Sequence, residues 1–565
     1  MPIELLPTGI FLLGALVAAL AGTRAAAVAA LLVPLLAGLC SLAVLTPGAT
    51  ASWTVMAYTL QPVRVDQLSL VMVGLFHVAA LIAAVYTLQV RDRLQHAALM
   101  LYIAGGIGAV LAGDLISLFI FFELIGLSGT LLVLAARKPD STSAAVRYLV
   151  FQITAGVTLL TGILVLGTAT GDWSFGHIGL AAPGGWLILL AFGIKSGFPL
   201  LHNWIPDAYP RASTAGLAVL AVVTTKVGVY GLARGFAGEG VLVGIGAVMA
   251  LWPLFYTLVE NDLRRVVAYS MMVQIGLMVA AVGVGSALAL DGVAMHIVMD
   301  VLFKMVLFMA MGAVALRVGT TRGERLGGLW RAMPLTTICV AVAVAANVAL
   351  PLTGGFISKK VLLAGIEHGD VPAALWLLLV STSAMGILYA GLRILWQGFL
   401  RPAGGERGGV REAPWPMAAA MVMAAGLLVL TGIFPALTDV LRPHGSDYSP
   451  MYPAKVADHV QMLLFTVLAY ALLARAGLGL PETGPGTWLD ADWLYRRGLP
   501  VVASGVLAVL ARIRDSGLSM LGGILRLTVG DGRVVATLGR TWPTGSMALW
   551  VAILLAALLV FGIGD

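Results

Sequence analysis

The stretch FGIKSGFPLLHNWIPDAYP, residues 192–210, closes an apolar run, and its reading decides how the rest of the chain is understood. Lys195 stands just before Ser196, Gly197 and Pro199, and His202, Asn203 and Asp207 follow soon after. Apolar sequence of this kind predicts a membrane helix, yet glycine loosens the backbone and proline removes a donor, so the helix is expected to break here. A break within hydrocarbon leaves amides and carbonyls that only protein groups or water can satisfy. The stretch therefore predicts a polar, wet site at membrane depth.

Working outward, the composition agrees. The chain has 565 residues, of which 60% are hydrophobic and only 11% charged, and its mean hydropathy is +0.98; soluble domains carry about 25% charged residues. Apolar runs of about 17–25 residues, each able to cross about 30 Å of hydrocarbon as a helix, recur from Leu5 to Gly562 and predict about sixteen spans. The runs are continuous rather than alternating, which excludes a β-barrel and makes the chain an all-α polytopic membrane protein. The first run lacks the cationic flank and cleavage site of a signal peptide and is expected to remain as a helix. Cys40 and Cys339 lie in apolar runs and read as packing residues, with no disulfide, metal or cofactor site expected.

The net charge of +7 reads as topology. Arg24, Arg91, Arg137, Lys138, Arg211, Arg264 and Arg265, then Arg317 to Arg331 and Arg401 to Arg411, fall in every second connection, whereas residues 171–184 contain no Lys or Arg. The positive-inside rule makes the basic connections cytoplasmic and puts both termini on the opposite side of the cell's cytoplasmic (inner) membrane. A basic face or aromatic platform for nucleic acid is absent from the sequence, so no nucleic-acid partner is expected.

A second stretch, ALPLTGGFISKKVLL at 349–363, repeats the pattern of a Pro/Gly break beside lysine. Counted in spans, the breaks fall near the seventh and twelfth, the same place in two successive five-helix blocks. Paired interruptions of this sort point to a transport site at the interface of structural repeats. Ionisable residues inside the spans strengthen that reading, because a charge at a helix centre costs at least about 2.5–3.5 kcal/mol and by default marks a functional path. They are Glu123, Lys195, Lys226, Lys304 and Lys359, with His296, Asp300 and Lys304 on one helical face. Burial disfavours the charged form of an amine and a neighbouring carboxylate favours it, so moving the carboxylate or its proton toggles the lysine. Glu123 with Lys195 is expected to switch one half-channel, Lys226 to connect, and Lys304 with Lys359 to form the second half. His202 and Lys360 are secondary candidates; Asp207 reads as a turn or cap residue before Pro210.

Beyond Arg442 the chain holds a span near Met462 to Leu478, the polar stretch PETGPGTWLDADWLYRRGLP, a striped segment and a last span from Ser546 to Ile563. Arg512, Ser519, Arg526, Arg533 and Arg540 recur every seven residues and predict an amphipathic helix lying along the membrane plane, with Gly530-Asp531-Gly532 as its weak point.

These residues carry a family resemblance. LFIFFELIGLSG, FGIKSGFPLLHNWIPDAYP, TTKVGVYGLAR, ENDLRRVVAYSMMVQIG, HIVMDVLFKMVLF and LPLTGGFISKK, in this order, resemble the antiporter-like membrane subunits of respiratory complex I (NADH-quinone oxidoreductase), membrane-bound hydrogenases and Mrp-type Na+/H+ antiporters. The likeness runs nearest to the D component of Mrp antiporters, with a lateral-helix extension at the C-terminus. The resemblance implies two inverted five-helix repeats, each with a broken helix, and assigns the key ionisable positions to Glu123, Lys195, Lys226, Lys304 and Lys359, with His296 beside them. Residues 1–96 would then be N-terminal spans, 97–239 and 240–400 the repeats, 401–441 the last core helix, and 442–565 an extension with its lateral helix at 499–541 on the cytoplasmic side.

One departure stands out. Asp300 occupies a place where the family often has histidine; as an i,i+4 neighbour it is expected to pair with Lys304, and as a hard oxygen ligand it would change the proton relay or admit sodium. The resemblance implies a proton-translocating subunit, with Na+/H+ exchange as one version, working among other membrane subunits of an antiporter or beside soluble redox subunits of a respiratory-type complex. A self-sufficient redox enzyme is disfavoured, because Cys-x-x-Cys, iron–sulfur spacing and a Gly-rich strand-to-helix turn are all missing from the sequence, as are zinc-protease and P-loop patterns. A carrier of organic solutes would need selective side chains that a file of lysines does not provide.

Overall fold

The computed structural model describes residues 3–55, 58–402, 409–477 and 490–529. Helices α1 (Leu6–Leu20) and α2 (Thr23–Val44) lead to the hairpin β1 (Thr50–Val55) and β2 (Tyr58–Arg64), then to α3 (Gln67–Tyr86), α4 (Arg93–Leu111), α5 (Leu115–Leu134) and α6 (Pro139–Thr170). The middle of the chain forms α7 (Gly185–Ser196), α8 (Trp204–Ala208), α9 (Thr214–Val219), α10 (Thr224–Gly235), α11 (Val241–Val259), α12 (Leu263–Val284) and α13 (Ala287–Val318). There follow α14 (Leu329–Ala332), α15 (Pro334–Asn347), α16 (Gly354–Glu367), α17 (Ala373–Ala384), a wide π-type helix (Ile387–Leu400), α18 (Trp415–Ile433) and α19 (Pro453–Arg475).

Among the described residues fourteen helices are long and apolar enough to cross a membrane. The sequence predicts about sixteen, and the difference has identifiable sources. Two spans are split into shorter helices, α7 with α8 and α15 with α16, and the last predicted span, Ser546 to Ile563, lies outside the described residues. The fourteen also include Leu494–Met520, which the heptad stripe assigns to the lateral helix. The span expected near Met462 begins earlier, at Pro453, because proline is well placed at the first helical turn and the polar turn behind it stays helical.

Burial sorts the bundle. The windows of α9–α10, α12 and α13 are buried along almost their whole length, whereas α1, α2 and α19 turn most of their apolar surface outward, as lipid-facing helices do. The innermost helices are also the ones that carry Lys226, His296, Asp300 and Lys304. The start of α5, and with it Glu123, is fixed by Asp114, whose carboxylate caps Ser117 (2.7 Å) and accepts the Gln61 amide of β2 (2.7 Å).

Both breaks foreseen from the sequence are present, and each places non-glycine residues in the left-handed region: Leu200 (φ 69°) in the first, Ala349 (φ 59°) and Leu352 (φ 68°) in the second. Such residues cost about 1–3 kcal/mol each and persist only where the surroundings hold them. In the first break the Trp204 indole donates to the Ile194 carbonyl (3.1 Å) and Gly197 (φ 82°) makes the turn. A third interruption, Leu220 to Val223 between α9 and α10, has neither glycine nor proline to announce it. Tyr102 holds it instead, donating to the Leu220 carbonyl (3.0 Å) and accepting from the Thr224 amide (3.0 Å).

The contacts divide the chain into residues 1–488 and 489–565. Within the second unit the described residues form α20 (Leu499–Val529), on which positions 512, 519 and 526 of the stripe fall; Arg533, Arg540 and the predicted 530–541 end of the lateral helix lie outside the described residues.

Asp207 proves more than a turn residue. Its carboxylate receives two bonds from Arg147 of α6 (2.6 and 3.0 Å) and one from Arg211 (2.6 Å), tying α8 to α6 below the first break. Asp207→Asn keeps the shape and weakens these bonds, so it is expected to destabilise the detergent-solubilised chain by about 2–3 kcal/mol. A thermal melt followed by size exclusion reads this loss, and an unchanged melting point would show that the staple carries no stability.

Candidate functional site

The site grows from the break after α7. Lys195, in the last turn of α7 and 1% exposed, donates to the Phe122 carbonyl of α5 (3.0 Å) and lies 4.0 Å from the Phe122 ring centroid. The neighbouring residue of α5 is Glu123, half-buried, whose Oε1 has no hydrogen-bond partner among the described residues. Facing them from α6 is Gln152, buried, with neither amide atom partnered among the described residues. Two glycines make the room: a methyl built at Gly156 would overlap the Glu123 carboxylate, and one at Gly126 would press on Gln152 (2.9 Å) and reach within 3.7 Å of the Lys195 ammonium. Glu123 and Lys195 form no ion pair within 4.0 Å, so Glu123, Gln152 and Lys195 make a polar cluster with open valences. Such clusters are where buried water belongs.

Lys226 takes the centre. It sits in the first turn of α10, directly after the third interruption, and its ammonium meets Asp300 Oδ2 of α13 at 2.5 Å, with both side chains fully buried. The i,i+4 pairing of Asp300 with Lys304 expected from the sequence does not form. Lys304 instead donates to Ser270 Oγ of α12 (2.7 Å). The partner of Asp300 comes from a helix 74 residues away because α10 and α13 carry their charges into the same buried layer, where an unpaired ion would be far costlier than a distant pair. Asp300 Oδ1 has no partner among the described residues.

Above the centre lies a continuous hydrogen-bonded chain. His296 Nε2 meets Gln274 Oε1 (3.0 Å), the Gln274 amide donates to Asn347 Oδ1 (3.0 Å) and to Tyr389 Oη (2.9 Å), and the Lys359 ammonium donates to the Asn347 backbone carbonyl (2.6 Å), freed by the second break. On its other side His296 Nδ1 meets Ser358 Oγ (3.0 Å), which also lies 3.3 Å from the Gly355 carbonyl. Gln274 Oε1 only accepts, so Nε2 carries a proton in either state. Neutral His296 accepts the Ser358 hydroxyl proton at Nδ1. A protonated ring donates to Ser358, whose own proton then turns to Gly355. Both protonation states are satisfied without moving a heavy atom.

The remaining predicted residues are set apart. His202 is buried within the first break beside Gly197, while Lys360 is half-buried and it is Lys359 that holds the Asn347 carbonyl. Sequence reasoning missed Gln152, Ser270, Gln274, Asn347, Ser358 and Tyr389, each a polar residue on a buried helical face. Their one signal is isolation: Gln152 and Gln274 are lone amides in apolar runs. A hydroxyl cluster was missed too, in which Thr224 Oγ1 contacts Tyr102 (2.6 Å) and Tyr148 (3.1 Å) two residues from Lys226.

Comparison with known proteins adds an independent finding. A family model described as NADH:quinone oxidoreductase/Mrp antiporter, TM, matches residues 112–386, a stretch that holds Glu123, Lys195, Lys226, His296, Asp300, Lys304 and Lys359. Two uncharacterized proteins of Mycobacterium tuberculosis are 30% identical over 380 residues, covering 61% of this chain and 59% of theirs, so the chain spans less than two thirds of their length. The N component of the NADH-quinone oxidoreductase of Desulforudis audaxviator is 31% identical over 375 residues, with 61% of this chain and 74% of that protein covered. The D component of the Na(+)/H(+) antiporter of Bacillus subtilis is 26% identical over 376 residues, covering 63% and 73%. In fold the chain matches one from the Mrp complex of Dietzia sp. (TM-score 0.69, 20% identity, 82% of this chain and 100% of that one). It also matches one from an archaeal membrane-bound sulfane sulfur reductase (TM-score 0.71, 22% identity, 99% and 100%).

Removing one member of the central pair leaves a buried charge uncompensated, which costs about 3–5 kcal/mol, whereas removing both is close to neutral. Asp300→Ala is therefore expected to lower the melting point of the solubilised chain sharply, and Lys226→Gln with Asp300→Asn together to restore most of it. Equal destabilisation by the single and double variants would mean that the two groups are not coupled.

Proposed function

We propose, because the chain belongs to the NADH:quinone oxidoreductase/Mrp antiporter family of membrane subunits, that it is a proton-translocating subunit of a multi-subunit membrane complex. The observation that carries this reading is the buried Lys226–Asp300 pair, which stands between the Glu123–Gln152–Lys195 cluster and the chain from His296 to Lys359. Residues 97–239 and 240–400 act as the two half-channels, as inverted five-helix repeats would, and the pair is their electrostatic joint. Residues 1–96 and 401–441 complete the core, and residues 442–565 follow it in the sequence.

A proton that reaches Asp300 releases the Lys226 ammonium, and a proton that leaves restores the pair; either event changes the field at Lys195 on one side and Lys304 on the other. Water fills the open valences at Glu123, Gln152 and Asp300, and His296 with Ser358 relays between Lys304 and Lys359 without rearrangement. The cytoplasmic inlet is a cavity of about 670 Å³ lined by Lys138, Arg211, Ser213, Arg264 and Arg265. Those residues belong to the basic connections, which fits positive-inside placement and the termini on the opposite side.

Proton transport alone fits Asp300 better than Na+/H+ exchange does, since Lys226 already holds one of its oxygens where a sodium ion would need both the oxygen and freedom from a neighbouring cation. The free energy comes from partner subunits, either redox chains that carry electrons or antiporter subunits that tap an ion gradient. In the purified complex, reconstituted in vesicles, Glu123→Gln is expected to cut proton flux at least about tenfold with assembly unchanged. Wild-type flux from an intact Glu123→Gln complex would remove Glu123 from the path.

A further inference from the structure

Helix α19 follows the two five-span blocks and turns most of its surface outward, yet it sends one polar side chain into the bundle. His459 is 2% exposed, packs edge-on against Phe356 of α16 (5.6 Å between centroids) and places Nε2 3.2 Å from the Val348 carbonyl at the second break. Val348 is the residue after Asn347, whose carbonyl Lys359 holds. Two consecutive carbonyls freed by the break are thus held by two titratable side chains, one from α16 and one from α19.

The ring chemistry follows from the partner. A carbonyl only accepts, so Nε2 carries the proton and Nδ1 presents a lone pair. That Nδ1 is buried and has no hydrogen-bond partner among the described residues. An acceptor left empty in the interior costs about 1–3 kcal/mol, so the atom is built to meet water or a proton. A histidine serving only to cap Val348 would have no use for this second valence. The charged groups around it are Lys359 and Lys360 of α16 and, on its own helix, Lys455 and Asp458; Lys455 lies one turn nearer the helix start, 3.7 Å from the Tyr448 ring centroid. Asp458 is exposed and Lys455 and Lys360 are half-buried, so polar groups lead from the ring to the surface.

We propose that His459 is the proton-carrying station between Lys359 and that surface, an inference that rests on the proton path proposed above. The Lys359 ammonium gives up a proton through water, His459 Nδ1 accepts it to form the imidazolium, and the same nitrogen returns it to water at the surface. The Nε2 bond to Val348 is kept throughout, and no electrons move. The extension beyond the core thereby contributes to the path itself.

The test is proton flux as a function of pH in vesicles holding the assembled complex, with His459→Gln, His459→Phe and, as a control on the path, Lys226→Gln with Asp300→Asn. Glutamine keeps a donor for the Val348 carbonyl but cannot be protonated; phenylalanine removes both. The inference predicts that His459→Gln and His459→Phe each lose flux about tenfold or more and lose the limb of the pH profile that histidine titration supplies. Wild-type flux and profile in His459→Gln, whether or not His459→Phe is impaired, would make His459 a structural cap and overturn the inference. Wild-type flux in the Lys226/Asp300 control would instead sink the proton path on which the inference stands.

Discussion

A helix that stops inside a bilayer must find partners for its freed carbonyls and amides, and this chain stops three times among the described residues. The solution is the same in each case: a buried side chain, from across the break or from a distant helix, takes the freed group. Trp204 holds Ile194, Tyr102 holds Leu220, and Lys359 with His459 holds Asn347 and Val348. At the second break both holders are groups that can gain or lose a proton. Backbone satisfaction and the proposed proton chemistry are therefore served by the same side chains.

The layer between the breaks obeys a second electrostatic rule. Four lysines with almost no exposed surface sit in one protein interior, and among the described residues only Lys226 of the four has a carboxylate in contact. Lys195 and Lys359 rest on backbone carbonyls and Lys304 on a serine hydroxyl. Neutral acceptors of this kind can serve an amine or an ammonium, whereas the Lys226–Asp300 contact is strong only when both groups are charged. The joint is thus the place where a single proton has the largest effect on its neighbours.

Much of the architecture was legible because its signals are coarse. Continuous apolar runs announce spans, and the Pro/Gly clusters after Lys195 and before Lys359 mark two breaks. The third break was not legible, since Leu220 to Val223 is ordinary apolar sequence and Tyr102, 118 residues away, is what permits it. The charged residues could be named from the sequence, but not their partners. Helical spacing offered Lys304 to Asp300, and the fold supplied Lys226 across 74 residues. Asp207 looked like a cap because Arg147, 60 residues away, cannot be paired with it before α6 and α8 are docked, although Arg211, four residues on, is within local reach. His459 stood in a span whose start was read too late, which left it outside the helix that carries it.

The central claim is that protons cross between the half-channels at the Lys226–Asp300 joint. The most direct measurement is proton flux through the assembled complex carrying Lys226→Gln with Asp300→Asn, a change that removes both charges and leaves no buried ion behind. The account predicts flux at the level of protein-free vesicles from a complex of normal composition. Wild-type flux from that complex would contradict it, and would mean that protons pass through this protein without using its buried centre.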